Sequence, residues 1–420
     1  MIETISLRPG ITLRCCRDDR FKQGCLTVQL LRPMCAEEAA LNALLPAVLL
    51  RGTRKFPDLR AITNALDDLY GASVSTLVRR IGDIQTVGLY CGFLEDRFAL
   101  PGDRVLEPMV GVLEELLFGS PLENEGFLPQ FVESEKRNLV ATVESELNDK
   151  QAYAMSRMVR IMCDGDSFAI PRLGEKAAIE AITPQRLLAH YRRILASSPV
   201  ELFYVGSAES CQVAALLEPL ARRLPQGERP APARLPLRTA APSDTFEIMD
   251  LAQGKLCMGF VTDITNRDDG FIPMQVLNTL FGGGMTSKLF QNVREKLSLC
   301  YSVGSSYHGS KGLITVGAGI DHDKEALCRQ EILRQLKACQ EGDVTQEELD
   351  AAREALLSAL RASLDSPGAI EGYHSTAAIS GSGRTIEEYS RQLGQVTLEQ
   401  VVEAARSIRL HTVFFLKGGQ

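Results

Sequence analysis

The side chains best suited to holding a metal or moving a proton are scattered along this chain. Its five histidines, His190, His308, His322, His374 and His411, lie far apart in sequence. Only His322-Asp-Lys-Glu325 has His-x-x-Glu spacing, which brings two donors onto one helix face, and the next residue is Ala326. That segment follows a strand-like run and opens a helix, where a solvated His and an N-terminal acid are ordinary. The eleven cysteines stand at 15, 16, 25, 35, 91, 163, 211, 257, 300, 328 and 339. No Cys-x-x-Cys pair occurs among them, so their spacing fits neither a thioredoxin-like site nor a zinc ribbon. Buried free thiols in a reducing compartment are the plainer reading. Gly282-Gly-Gly-Met-Thr-Ser-Lys288 lacks the glycine that a phosphate loop needs just before its lysine. It reads as a tight turn into a helix over 286–297. No Ser/His/Asp order is discernible, because geometry rather than sequence order defines such a triad.

The elements that must position any site mix strands and helices. Ile11–Cys16 and Cys25–Leu31 are strand-like, β-branched and bounded by polar turns. Val74–Val78 with Thr86–Phe93 reads as a hairpin, as does Cys300–Tyr307 with Leu313–Gly317 across the turn His308–Gly312. Helical periodicity covers roughly 104–117, 127–147, 324–340 and 346–364. In a further helix over 37–50, Leu41, Leu44, Leu45, Val48 and Leu49 form one apolar face, and Gly52 follows the end. Hairpins followed by helices predict an α+β architecture rather than a doubly wound parallel sheet.

Residues 226–243 carry four prolines and no apolar period, which predicts an extended linker. We expect a domain over 1–225, a linker over 226–245 and a second domain over 246–420. The two sides resemble one another. Thr183 and the helix after it run into Val200–Gly206, while Thr397 and its helix run into Thr412–Gly418. Those pairs stand 214 and 212 residues apart, and Asp149 and Asp365, each closing a long helical stretch, stand 216 apart. Three features at nearly one spacing predict a tandem duplication, hence two homologous domains, each a mostly antiparallel sheet with helices on one face.

Composition bounds the function. The 420 residues are 45% hydrophobic and 24% charged, which suits a large folded core. A formal net charge of −7 provides no global basic field for nucleic acid or an anionic membrane. Charges interrupt every apolar run, and the N-terminal residues lack a basic and apolar leader pattern. The expectation is a soluble, cytoplasmic protein.

The frame of a helix closing in Gly52-Thr53, then Leu59-Arg-Ala-Ile-Thr-Asn-Ala-Leu and Leu69-Tyr-Gly-Ala, resembles the pitrilysin and mitochondrial-processing-peptidase family. The segment from Leu277 through Gly282-Gly-Gly to Arg294-Glu-Lys-Leu-Ser-Leu-Cys-Tyr301 is very like that family's second-half signature. The resemblance runs through most of the chain. It implies a clamshell of two halves and a zinc site of the inverted kind, His-x-x-Glu-His, on the first long helix.

In that frame the two His positions fall on Ala43 and Ala47 and the Glu on Pro46. Methyl groups and a pyrrolidine ring can neither ligate zinc nor polarise a bound water. Pro46 also removes a backbone N–H at a cost of about 3 kcal/mol inside a helix, so a bend or a helix start is expected there. With Glu135 as the first glutamate of a later helix, the third ligand falls on Thr142. Glu144, two residues on, is turned by about 200° and faces elsewhere. A one-turn shift in register would instead bring in Glu146, with nothing left to complete.

In catalytic relatives an Arg and a Tyr at the positions of Arg294 and Tyr301 help hold the substrate peptide. Here they either still grip an extended peptide or form a surface ion pair and a packed strand residue. The resemblance therefore implies a catalytically inactive subunit with no metal or cofactor of its own, zinc being held only by a homologous partner. Together they would form a peptide-binding and processing chamber. Its compact form is similar to paired bacterial peptidase-like proteins associated with elongation factor P modification. The alternatives are an autonomous zinc-dependent peptidase with a non-standard site, and a self-associating, homodimeric peptide-binding scaffold.

Overall fold

The computed structural model describes every residue except Met1, Leu147, Gln226 and Gln420. Gln226, at the start of the expected linker, therefore lies outside the described residues, as does Leu147 at the end of the helix expected over 127–147.

The strands are β1 (Ile2–Arg8), β2 (Ile11–Arg17), β3 (Gln23–Pro33), β4 (Ser73–Ile81), β5 (Ile84–Leu94), β6 (Leu122–Glu123), β7 (Gly126–Phe127) and β8 (Val200–Gly206). After them come β9 (Ser243–Ile248), β10 (Gly254–Val261), β11 (Cys300–His308), β12 (Leu313–Ile320) and β13 (Arg409–Lys417). The helices before residue 225 are α1 (Ala36–Leu49), α2 (Leu59–Asp67), α3 (Leu106–Phe118), α4 (Pro129–Ser145), α5 (Lys150–Met162), α6 (Lys176–Glu180), α7 (Pro184–Ser197) and α8 (Ser210–Arg223). Those beyond it are α9 (Phe271–Gly282), α10 (Glu325–Glu341), α11 (Gln346–Ser363), α12 (Pro367–Ser380), α13 (Ile386–Gln395) and α14 (Leu398–Arg406). Both expected hairpins form, and the second closes through Lys311 and Gly312 amides on the His308 carbonyl, with Gly312 at φ +68°.

The chain packs into two compact units that do not follow chain order. The first comprises Met1–Glu144, Ile170–Leu235 and Leu364–Thr376; the second comprises Ser145–Ala169, Pro236–Ser363 and Ala377–Gln420. In the first unit the sheet runs β1-β2-β8-β3-β5-β4, and in the second β11-β12-β10-β13-β9. Most neighbours pair antiparallel, whereas β2 with β8 and β13 with β9 pair parallel.

In each unit one sheet face carries the main helical layer. Leu13, Leu26, Val28, Leu202 and Tyr204 meet Leu44, Leu45, Met109, Leu113, Leu188 and Leu217 in the first core. Leu256, Met258, Val413 and Phe415 meet Leu277, Phe281, Ile332 and Leu336 in the second. Each fully buried side chain of this kind contributes about 2 kcal/mol. The opposite face is not bare. In the first unit Cys16, Cys25, Phe203 and Val205 pack on Ile370, from the segment Leu364–Thr376. In the second, Cys257, Phe414 and Leu416 pack on Ala154, Met158 and Met162 of α5.

That facing corrects the strand match read from sequence. A spacing of 212 sets Leu202 against Phe414, yet Leu202 faces the main helical layer and Phe414 faces α5. Side chains alternate along a strand, so only an odd spacing preserves which face is which. The helix expected over 286–297 is a π-helix at Leu289–Lys296. It is followed by Ser298 at φ +50°.

Candidate functional site

The helix that the resemblance marks as the metal platform is α1. It begins after Cys35 without a side-chain cap, carries Glu37 and Glu38 in its first turn and runs through Pro46 to Leu49. No helix starts at Pro46: α1 runs through it from Ala36, and the Leu50 amide bonds the Pro46 carbonyl at 3.2 Å. Burial explains the continuity, because eleven of the fourteen residues of α1 are buried and tertiary packing outweighs the missing donor.

Ala43 and Pro46 are buried and Ala47 half-buried, and none of them brings a donor atom to the surface of the helix. Pro46 lines a small apolar void with Val28, Leu45, Leu49, Tyr191 and Leu195. On α4, Thr142 is exposed and donates to the Asn138 carbonyl at 2.9 Å. Glu135 pairs with Arg51, just beyond α1, at 3.4 Å. Glu144 pairs instead with Lys176.

The polar face of α1 is built from residues that sequence reasoning passed over. Arg32 from β3 grips Glu38 at 2.8 and 2.9 Å, and Arg193 from α7 reaches the same carboxylate at 2.9 Å. Arg193 also lies 2.9 Å from His190 Nδ1. A guanidinium can only donate, so Nδ1 accepts and Nε2–H donates to Asn42 Oδ1 at 2.7 Å. Asn42 Nδ2 donates to Gln85 Oε1 at 2.9 Å, and Gln85 Nε2 donates to the Arg172 and Ala39 carbonyls.

Within the network Glu38, Asn42, Gln85 and His190 are buried. Burial, reinforced by Arg193, Arg32 and Arg186, pushes the His190 imidazole down to about 3, so it stays neutral. The one signal in the sequence was the i, i+4 pair Glu38 and Asn42 on a helix whose other residues, Glu37 aside, are apolar. Among the described residues no group of three or more His, Cys, Asp or Glu side chains is placed to hold a metal ion.

Arg294 and Tyr301 both lie in the second unit. Arg294, in the π-helix, stacks over the Phe290 ring at 4.6 Å and approaches Glu295 at 3.6 Å. Tyr301 is 64% exposed, and its hydroxyl donates to Asp321 at 3.3 Å. His190, His308 and His411 are each engaged within the fold, with Asn42, Thr315 and Thr412 respectively.

Against this geometry, the family model described as the peptidase M16 inactive domain matches residues 181–356. Over 416 residues the chain is 29% identical to the probable inactive metalloprotease YmfF of Bacillus subtilis (strain 168), spanning 99% of this chain and 98% of that protein. The chain thus resembles M16 peptidase-like proteins, in one case along nearly its whole length. A crystal structure of a conserved protein from Enterococcus faecalis V583 superposes on this chain with a TM-score of 0.92 at 27% identity, over 100% of this chain and 99% of that one. The peptidase M16 inactive domain from Pseudomonas fluorescens shares this fold, with a TM-score of 0.80 at 18% identity over 100% and 98% of the two chains. Within the described residues, no helix is long and apolar enough to cross a membrane.

Proposed function

We propose that this chain is a catalytically silent M16 subunit that pairs with a zinc-bearing homologue to form a peptide-binding and processing chamber in the cytoplasm. One observation carries the reading. The platform helix is kept and fully packed, while the positions that face a metal in the resembling family hold Ala43, Pro46, Ala47 and Thr142. The nearest polar side chains, Glu38, Asn42, His190 and Glu135, are engaged in ion pairs and hydrogen bonds with protein groups. A hydrolytic zinc site needs three protein donors and a base for its water, and these residue types supply neither. Loss of the ligands with retention of the fold fits a role in binding, or in completing a partner.

The shared strand order of the two sheets supports a tandem duplication as the origin of the two halves. Half-buried Arg294 and exposed Tyr301, donors in the second half, are the residues this reading assigns to gripping peptide.

The test is made on the purified full chain. Metal analysis after dialysis is expected to give far less than one zinc per chain, with no chelator-sensitive cleavage of unfolded peptide substrates. Affinity purification from native cells is expected to bring down a homologue with an intact His-x-x-Glu-His motif. Stoichiometric zinc with chelator-sensitive cleavage by the isolated chain overturns the proposal in favour of an autonomous peptidase.

A further inference from the structure

The two main sheets share their strand order only up to one edge. In the first unit β4-β5-β3-β8-β2 corresponds to β11-β12-β10-β13-β9 in the second. The first sheet then continues. β1 pairs antiparallel along the outer edge of β2, and α8 packs over both strands. Among the described residues no strand pairs with the outer edge of β9, and no helix follows β13.

The burial pattern records the difference. On β2, Ile11, Leu13 and Cys15 are buried. On β9, Phe246 and Ile248 are 61% and 60% exposed, with Lys417 Nζ 3.9 Å from the centre of the Phe246 ring. Phe246 lies beside Phe415, which faces the main helical layer, so its side chain occupies the face that α8 covers in the first unit. The Met249 amide bonds the Lys417 carbonyl on β13. Backbone groups alternate in direction along a strand, so those of Asp244, Phe246 and Ile248 point outward. An edge that pairs apolar side chains with unpaired backbone groups is a template for another strand.

We propose that the outer edge of β9 docks a second copy of this chain, the two β9 strands pairing antiparallel about a two-fold axis with Phe246 opposite Phe246. The strand is complementary to itself in that register. Asp244 falls opposite Ile248 and Thr245 opposite Glu247, so no like charges face each other. Both acids already have cationic partners, Asp244 in Arg329 and Glu247 in Arg157 at 3.2 Å. Thr245 Oγ1 is buried without a hydrogen-bond partner among the described residues, and Glu247 of the second copy would sit across from it. A two-fold axis closes the pair, leaving neither β9 edge open.

The experiment is light scattering after size exclusion, on the full chain across a dilution series. Wild type is expected at twice 46.0 kDa. Phe246→Lys sets two ammonium groups face to face, and Phe246→Pro removes an outward N–H while sparing the bonds to β13. Both are expected to halve the mass with an unchanged melting temperature. Amide exchange at residues 244, 246 and 248 is expected to be slow in wild type and fast in Phe246→Lys. A wild-type mass of 46.0 kDa throughout the series overturns the proposal, as does a doubled mass that survives both substitutions. A foreign polypeptide on this edge with wild type monomeric counts against it equally.

Discussion

Arg79 and Glu371, 292 residues apart, form a two-pronged ion pair at 2.8 and 3.1 Å inside the first unit. The Glu371 side chain is fully buried and also accepts from Gln29 Nε2 at 2.9 Å and Thr27 Oγ1 at 3.3 Å. Gln29 also donates to Ser375 Oγ at 2.9 Å. The pair thus fastens the segment Leu364–Thr376 to the face of the sheet turned away from the main helical layer.

Removing one partner strands a charge or its hydrogen-bond donors in a buried site. Glu371→Ala is expected to cost about 3 kcal/mol in urea unfolding. Arg79→Ala should cost nearly as much, and the double variant well below the sum. Strict additivity of the two would dissolve the coupling.

The second unit holds a comparable pair. Lys311, in the turn between β11 and β12, reaches Asp166 at 3.0 Å, with side-chain exposures of 0% and 3%. Asp166 also accepts the Phe168 and Arg238 amides. Lys311→Met should destabilise by about 3 kcal/mol, and Asp166→Asn by more, since the Phe168 and Arg238 amides bond different carboxylate oxygens and the asparagine NH2 cannot accept either. The ranking is read from denaturant midpoints. Equal losses would contradict it.

His190 gives an acid-sensitive contribution whose sign is fixed. Its folded value is lowered from 6.5 to about 3, so the unfolded chain takes up a proton that the native chain refuses. Stability from this group is complete above about 6.5 and falls as pH drops toward about 3. His190→Gln keeps a donor for Asn42 and an acceptor for Arg193 but cannot titrate. Its unfolding free energy should fall less steeply across that window, by about one proton. Identical acid limbs for the two proteins would remove His190 from the account.

Thiol reactivity should follow burial. Cys211 is exposed, whereas Cys25, Cys257 and Cys339 are buried and pushed up to about 12 by desolvation. At pH 8 a chromogenic disulfide reagent is expected to titrate one thiol rapidly in the native chain and all eleven after unfolding. Cys211→Ser should abolish the fast phase. A fast phase that persists in that variant would place a second reactive thiol at the surface.

Much of the local structure and part of the candidate site were legible in the sequence. Thr183 and Thr397 cap α7 and α14 as their positions suggested, the latter in a reciprocal capping box with Gln400. Turn residues fixed both hairpins, because left-handed or tight backbone leaves few choices. The residue types at 43, 46, 47 and 142 are plain from the sequence, since an alanine offers no lone pair in any fold. The polar network of α1 was not legible: Arg32, Gln85, His190 and Arg193 come from three other elements and have no common spacing.

Sequence by itself determined where helices and strands form, which faces are apolar and which donors are missing, because these depend on neighbours a few residues away. Only the tertiary structure decided that α5 packs in the second unit and Leu364–Thr376 in the first, and which way Leu202 and Phe414 face. It also decided that, among the described residues, no strand pairs with the outer edge of β9. Those outcomes rest on competition between surfaces hundreds of residues apart, and local periodicity holds no record of it.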